Sequence, residues 1–169
     1  MSTKPPSGAA GKAERETARD SSVAIAAARY NQEIVDALLK GCLRRLAKLG
    51  VRKDQIDVYR VPGAFELPLA AQALARTKCY DAVICLGAVV RGETPHFEYV
   101  AGRCAAGVAA VGLKEDLPVI FGVLTTNNEE QAWDRCGGKH GHAGERAADA
   151  AIEMIALLKH IDREASVPF

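Results

Sequence analysis

At 169 residues the chain has the length of one domain, at roughly 100–200 residues each, and enough sequence to bury its own core. Hydrophobic residues make up 49% and charged residues 25%, a globular rather than a disordered composition. The 22 Lys and Arg balance 21 Asp and Glu to a net charge of +1, which argues against nucleic-acid binding; no apolar run reaches the roughly 18 residues of a membrane span.

The first 22 residues contain no Val, Ile, Leu, Phe, Tyr or Trp, and Pro5, Pro6, Gly8 and Gly11 stand among them. They predict a flexible N-terminal arm over 1–20, ahead of a single domain at 21–169. The segment has no apolar run for secretion, and Glu14, Glu16 and Asp20 weigh against an organelle transit peptide. The five cysteines are odd in number and form no CxxC pair, so neither a disulfide framework nor a metal site is expected. The expected location is the cytoplasm.

Val23–Ala28 is a short apolar run that predicts a buried strand, with Asn31 as the N-cap of the helix after it. That helix places Ile34, Leu38, Cys42, Leu46 and Leu49 near one face and stops at Gly50. A strand over Asp57–Val61 closes at Pro62-Gly63, and Phe65–Arg76 reads as a helix that tolerates Pro68 near its first turn. Ala82–Leu86 is a third strand, ended by Gly87; a loop from about Val90 to Pro95 leads into a helix through Leu113. Val119–Leu124 is a fourth strand, followed by a helix over Asn128–Cys136, a glycine-rich break at Gly137–Gly144, and a last helix over Glu145–His160. Strand and helix alternate four times. This predicts an α/β fold, a four-stranded parallel sheet flanked by helices in three layers. Such sheets bind ligands beyond the carboxyl ends of their strands. Those ends carry Tyr30, Gly63–Glu66, Gly87–His96 and Thr125–Asn127.

The loop Gly87–His96 is the densest signal. Gly92 permits close backbone approach, Thr94 offers a hydroxyl, amides near a helix start favour an anion, and His96 can exchange a proton near neutral pH. The same residues also make an ordinary loop with a helix cap and an exposed His, and spacing alone leaves both readings open. Glu66, after Val61-Pro62-Gly63-Ala64-Phe65, could accept from hydroxyls, or simply be an acid in a first helical turn. Arg135 has Gln131 rather than an acid four residues before it, so its fork could grip a phosphate, or merely sit at a helix end. Gly138-Lys139-His140-Gly141-His142 lies near Cys136 but lacks the spacing of common zinc sites.

Together these segments resemble the 6,7-dimethyl-8-ribityllumazine synthase family. The resemblance rests on Arg29-Tyr30-Asn31, Val61–Glu66 (VPGAFE), Gly87–His96 (GAVVRGETPH), Phe97-Glu98-Tyr99-Val100, Pro118–Thr126 (PVIFGVLTT), Asn128–Arg135 and Ala151-Ile152-Glu153-Met154, in order over about residues 22–160. It implies a flavodoxin-like fold and the penultimate step of riboflavin biosynthesis. In that step 5-amino-6-(D-ribitylamino)uracil condenses with 3,4-dihydroxy-2-butanone 4-phosphate, with no metal or organic cofactor and a functional link to riboflavin synthase. Carried over residue by residue, it places Tyr30 against the pyrimidine ring, Ala64, Phe65 and Glu66 on the ribityl chain, and Val89 and Val90 along the ring slot. Glu93, Thr94 and Arg135 would receive the phosphate, and His96 would transfer protons. The family's site lies between neighbours in a pentamer, so Phe121, Arg135 and the loop at 139–143 would come from the adjacent subunit.

One position departs from the family. Many members carry a Lys where this chain has Ala143, and His142 or His140, beside Lys139, is the expected replacement cation. That departure is the main support for an alternative, a lumazine- or flavin-binding or shell-forming relative with little catalysis. His96, Glu66 and Arg135 oppose it. The short linker Gly137–Gly144 resembles that of family members that build icosahedral shells, so a homo-oligomer of pentamers assembled into a 60-mer is expected, with no nucleic-acid or membrane partner.

Overall fold

Two strands are buried on both faces, as a parallel sheet between two helical layers requires. They are β1 (Val23–Ala28), built almost wholly of Ala and Val, and β3 (Ala82–Val90). The computed structural model describes residues 11–165. Among these, the main sheet has four parallel strands in the order β2-β1-β3-β4, with β2 spanning Ile56–Val61 and β4 Val119–Thr126. Helices α2 (Gln32–Leu49) and α6 (Ala143–Ala165) pack together on one face; α3 (Leu67–Arg76) and α4 (His96–Glu115) pack together on the other. The three-layer α/β expectation matches this architecture.

Local differences have physical causes. Residues 1–10 of the expected arm lie outside the described residues, but Lys12–Arg19 forms a helix, α1, that packs on α2 and α6. Ala18 is its fully buried contact, a signal too small to read as an amphipathic face. Strand β3 does not stop at Gly87 but runs on to Val90. A Cβ on Gly87 would sit 3.2 Å from Leu67 Cδ1 and 3.4 Å from Val123 Cγ1, so the glycine makes room for α3 rather than ending the strand. Asn31 is not a side-chain cap: it takes a left-handed conformation at φ 55° and turns its amide elsewhere. Helix α5 is only Glu129–Trp133, capped by Asn128, whose side chain accepts from the Gln131 N–H. The glycine-rich break is a small antiparallel hairpin, β5 (Cys136–Gly138) and β6 (Gly141–His142), and α6 begins directly after it.

The α3–α4 contact is close enough to position what precedes α3. A Cβ on Gly107 of α4 would lie 2.7 Å from both Cβ and Cγ of Pro68. Pro68 stands two residues beyond the 3-10 turn Ala64–Glu66. Overpacking of this kind costs about 1–3 kcal/mol. Gly107→Ala is therefore expected to lower the midpoint of thermal unfolding, read by circular dichroism, and an unchanged midpoint would mean the two helices can separate freely.

Candidate active site

The sheet has a topological switch point between β1 and β3, where the chain leaves β1 for one side of the sheet and β3 for the other. Strand β1 ends first: its last partner on β3 is Leu86, while β3 continues beside β4 until Val90 meets Thr126. Past that point β3 has lost its neighbour on the β1 side. Asn31 substitutes for it, donating from Nδ2 to the Ala88 carbonyl at 2.8 Å. Its left-handed backbone also turns the chain away from the sheet and leaves Tyr30 exposed at the rim. Two backbone bonds hold that rim to the β2 end, from Arg29 N–H to Val61 O (2.8 Å) and from Tyr30 N–H to Pro62 O (3.0 Å).

A cavity of about 660 Å³ opens at this place. It brings together eight of the expected residues: Tyr30, Ala64, Phe65, Glu66, Val89, Val90, Thr94 and His96. Val89 is buried as the floor, Tyr30 and Phe65 stand exposed as walls, and His96 opens α4 at the mouth. Glu66 folds back across Gly63: a Cβ there would meet Glu66 Oε2 at 3.2 Å, so a bare backbone lets the carboxylate lie close. Asn31, Gly92, Phe97, Tyr99 and Val100 also line the cavity. The last three belong to the segment Phe97–Val100 that carried the resemblance, and their helical position directly after His96 was the signal that could have found them.

The loop over 91–95 is braced by Arg91. Its Nε donates to Asn127 Oδ1 at 3.1 Å, its Nη1 pairs with Glu98 Oε1 at 2.7 Å, and the guanidinium carbon lies 4.2 Å from the centre of the Phe97 ring. One side chain thus ties the loop to the end of β4 and to the first turn of α4. Sequence reading passed over it because an exposed Arg beside a Gly carries no periodic signal.

Four expected residues do not line this cavity. Glu93 is exposed on the loop beside Thr94, Phe121 is an exposed residue of the edge strand β4, and Arg135 follows α5, where its Nη1 donates to the Gln131 carbonyl at 2.8 Å. His142 turns inward, its ring seated on Gly41 of α2. Burial lowers its pKa against the pull of Glu145, which disfavours the charged form that a replacement cation would need. Lys139 and His140 are exposed at the turn of the hairpin. The Cys42 and Cys85 thiols are poor nucleophiles: burial pushes both up to about 12. Among the described residues no cluster of His, Cys, Asp and Glu could hold a metal ion, and no helix is long and apolar enough to cross a membrane.

Comparison with known proteins adds the family. Residues 20–159 match the family model described as 6,7-dimethyl-8-ribityllumazine synthase. A 6,7-dimethyl-8-ribityllumazine synthase of Thermus thermophilus is 50% identical over 147 residues, 87% of this chain and 94% of that protein. One of Coxiella burnetii is 49% identical over 140 residues, 83% of this chain and 93% of that protein. The chain belongs to this family. The cavity at the β1/β3 switch point is built from the same segments that carry the likeness, Tyr30-Asn31, Pro62–Glu66 and Ala88–Val100.

Proposed function

We propose how this chain divides the work of its family's reaction among its residues. The chain is a transferase of riboflavin biosynthesis that makes 6,7-dimethyl-8-ribityllumazine from 5-amino-6-(D-ribitylamino)uracil and 3,4-dihydroxy-2-butanone 4-phosphate. The observation that carries the assignment of roles is the convergence of one imidazole, His96, with aromatic walls and the Glu66 carboxylate at the switch point. Tyr30 stacks on the pyrimidine, in a slot floored by Val89 and Val90. The backbone at Ala64 and Phe65, with Glu66, takes the hydroxyls of the ribityl chain. Amides at Glu93 and Thr94 receive the phosphate ahead of the α4 N-terminus.

The steps are proton transfers around a condensation. The amine attacks the ketone to give a carbinolamine, then an imine; phosphate leaves by elimination, and the ring closes with loss of water. His96 can give and take protons through these steps because an imidazole, with a reference pKa of about 6.5, works in both directions near neutral pH. Much of the rate comes from holding two substrates side by side. Phe121, Arg135 and the hairpin residues Lys139 and His140 lie outside this cavity, and the reading that accommodates them is a ring of five chains in which each supplies these residues to its neighbour's pocket. The short β5–β6 hairpin favours rings that assemble further into a 60-mer. The product then passes to riboflavin synthase.

His96→Ala is expected to lower kcat by about 10²-fold, the low end for a general acid–base residue, with the assembly intact. Steady-state kinetics equal to wild type would remove His96 from the mechanism. Arg135→Ala is expected to raise KM for the butanone phosphate while leaving that for the pyrimidine nearly unchanged, from loss of a charge-assisted contact of about 1.5–3 kcal/mol. Equal losses for both substrates would contradict the phosphate assignment. Light scattering decides the assembly: a uniform species of about 90 kDa, five chains of 18.0 kDa in a closed ring, would exclude the 60-mer and keep the shared site.

A further inference from the structure

The β5–β6 hairpin is too short to hold itself. Its two strands span only Cys136–Gly138 and Gly141–His142, and an isolated hairpin of that size is not stable in water. Its fixed geometry must come from what it leans on. The contact is unusual: a Cβ on Gly41, in the middle of α2, would fall 2.6 Å from Nδ1 of the His142 ring and closer still to Cε1 and Nε2. The imidazole therefore occupies the space that any other residue at position 41 would fill. A Cβ at Gly137, a residue held at φ 110°, would lie 3.6 Å from Cδ2 of the same ring. The ring thus lies close to two glycines, one on a helix and one on the hairpin. Nδ1 is buried, with no hydrogen-bond partner among the described residues, so the contact is one of shape rather than of polar pairing. One turn earlier on α2 the same approach recurs, since a Cβ on Gly144 would lie 3.1 Å from Leu38 Cα and closer still to the Leu38 carbonyl.

Two links lead from this wedge to Arg135. The residue after His142 is Ala143, and its N–H donates to the Arg135 carbonyl at 2.7 Å. The Cys136 thiol lies 3.9 Å from the Ile34 carbonyl, on the next residue after Arg135. The backbone on which Arg135 stands is thus set by how the hairpin sits on α2.

We propose that His142 is a positioning residue, a flat wedge seated on Gly41 that locks the hairpin to α2 and so aims Arg135 at the phosphate of the substrate. It does not touch either substrate. The proposal rests on Arg135 being the phosphate ligand, as argued above. It also explains how Ala143 is accommodated: this position has become part of the hairpin's hinge on Arg135 and the neighbouring His carries the packing.

Three variants of the full-length assembled protein test it, with kinetics for each substrate and amide hydrogen exchange over 136–143. His142→Ala empties the slot and is expected to raise KM for the butanone phosphate roughly ten-fold, as misplacement of a binding group does, with KM for the pyrimidine within about two-fold and faster exchange across the hairpin. His142→Phe refills the slot with a flat ring lacking nitrogen and is expected to recover most of the loss in both readouts. Gly41→Ala displaces the ring from the helix side and is expected to behave as His142→Ala; if that variant fails to assemble, the pair at position 142 decides alone. Wild-type kinetics and exchange in His142→Ala would overturn the proposal. So would failure of Phe to rescue while His142→Gln does, because that pattern assigns the nitrogen a polar contact. Arg135→Ala separates the two levels: if it leaves KM for the butanone phosphate unchanged, the phosphate assignment fails, whereas a raised KM there with a silent His142→Ala overturns the wedge alone.

Discussion

The structure turns on the unequal length of two neighbouring strands. β3 pairs with β1 only as far as Leu86, yet continues to Val90 because β4 runs beside it to Thr126. A strand buried on both faces that outlasts one neighbour leaves backbone groups without a ladder partner, and buried groups of that kind must find another. Asn31 supplies one through its side chain to the Ala88 carbonyl. The open side of the overhang is the cavity. Part of the cavity's lining follows from it: Val89 and Val90 are the overhang, Tyr30 is thrown outward by the turn at Asn31, and the loop that begins at Arg91 exists because β3 has to end in the open.

The layer order of the fold was legible from apolar runs, because a parallel sheet hides both faces and its strands become near-continuous stretches such as Val23–Ala28 and Ala82–Leu86. The failures cluster where a small residue had two meanings. Gly87 reads as a strand end, but here it is the clearance for Leu67 and Val123. Asn31 reads as a helix cap, yet its amide is spent on β3. The helix Lys12–Arg19 buries Ala18 fully, and a lone Ala gives no amphipathic stripe. In each case the deciding contact is with an element distant in sequence, so no local pattern could hold it.

The pocket was legible to a different degree. Residues at strand ends followed from the fold rule and were narrowed by the resemblance, and eight of them line one cavity. Arg91 was not legible, since its role is a set of three simultaneous contacts to Asn127, Glu98 and Phe97 that come from two other elements. His142 was legible as an unusual residue in a glycine-rich loop, but its direction was not. Chemistry suggests an exposed cation there; the glycine at 41, more than a hundred residues upstream in sequence, lets the half-buried ring turn inward, where burial lowers its pKa.

On the proposed reading, the charge balance of the pocket explains why one chain would be half of a site. A phosphate at the loop over 92–94 needs cationic help beyond backbone amides. The cation on the loop itself, Arg91, is already committed to Glu98 and Asn127, and its withdrawal would release the loop. The cavity also lacks a roof, with Tyr30 at 73%, Phe65 at 57% and Tyr99 at 67% exposure around its mouth. Water entering there would weaken each electrostatic contact and compete with the imine for hydrolysis. A neighbour that brought an arginine and an aromatic ring would answer both needs at once: the ring would exclude solvent and the guanidinium would supply the charge. Phe121 is exposed on the edge strand, and Arg135 lies between α5 and the β5–β6 hairpin, its carbonyl accepting from the Ala143 N–H. Such a pair can serve a second chain only if its own fold holds it rigidly, because flexibility across an interface would be removed at the expense of binding. On that reading the hairpin is the counterpart of the open pocket, and the two halves would form one site across adjacent copies.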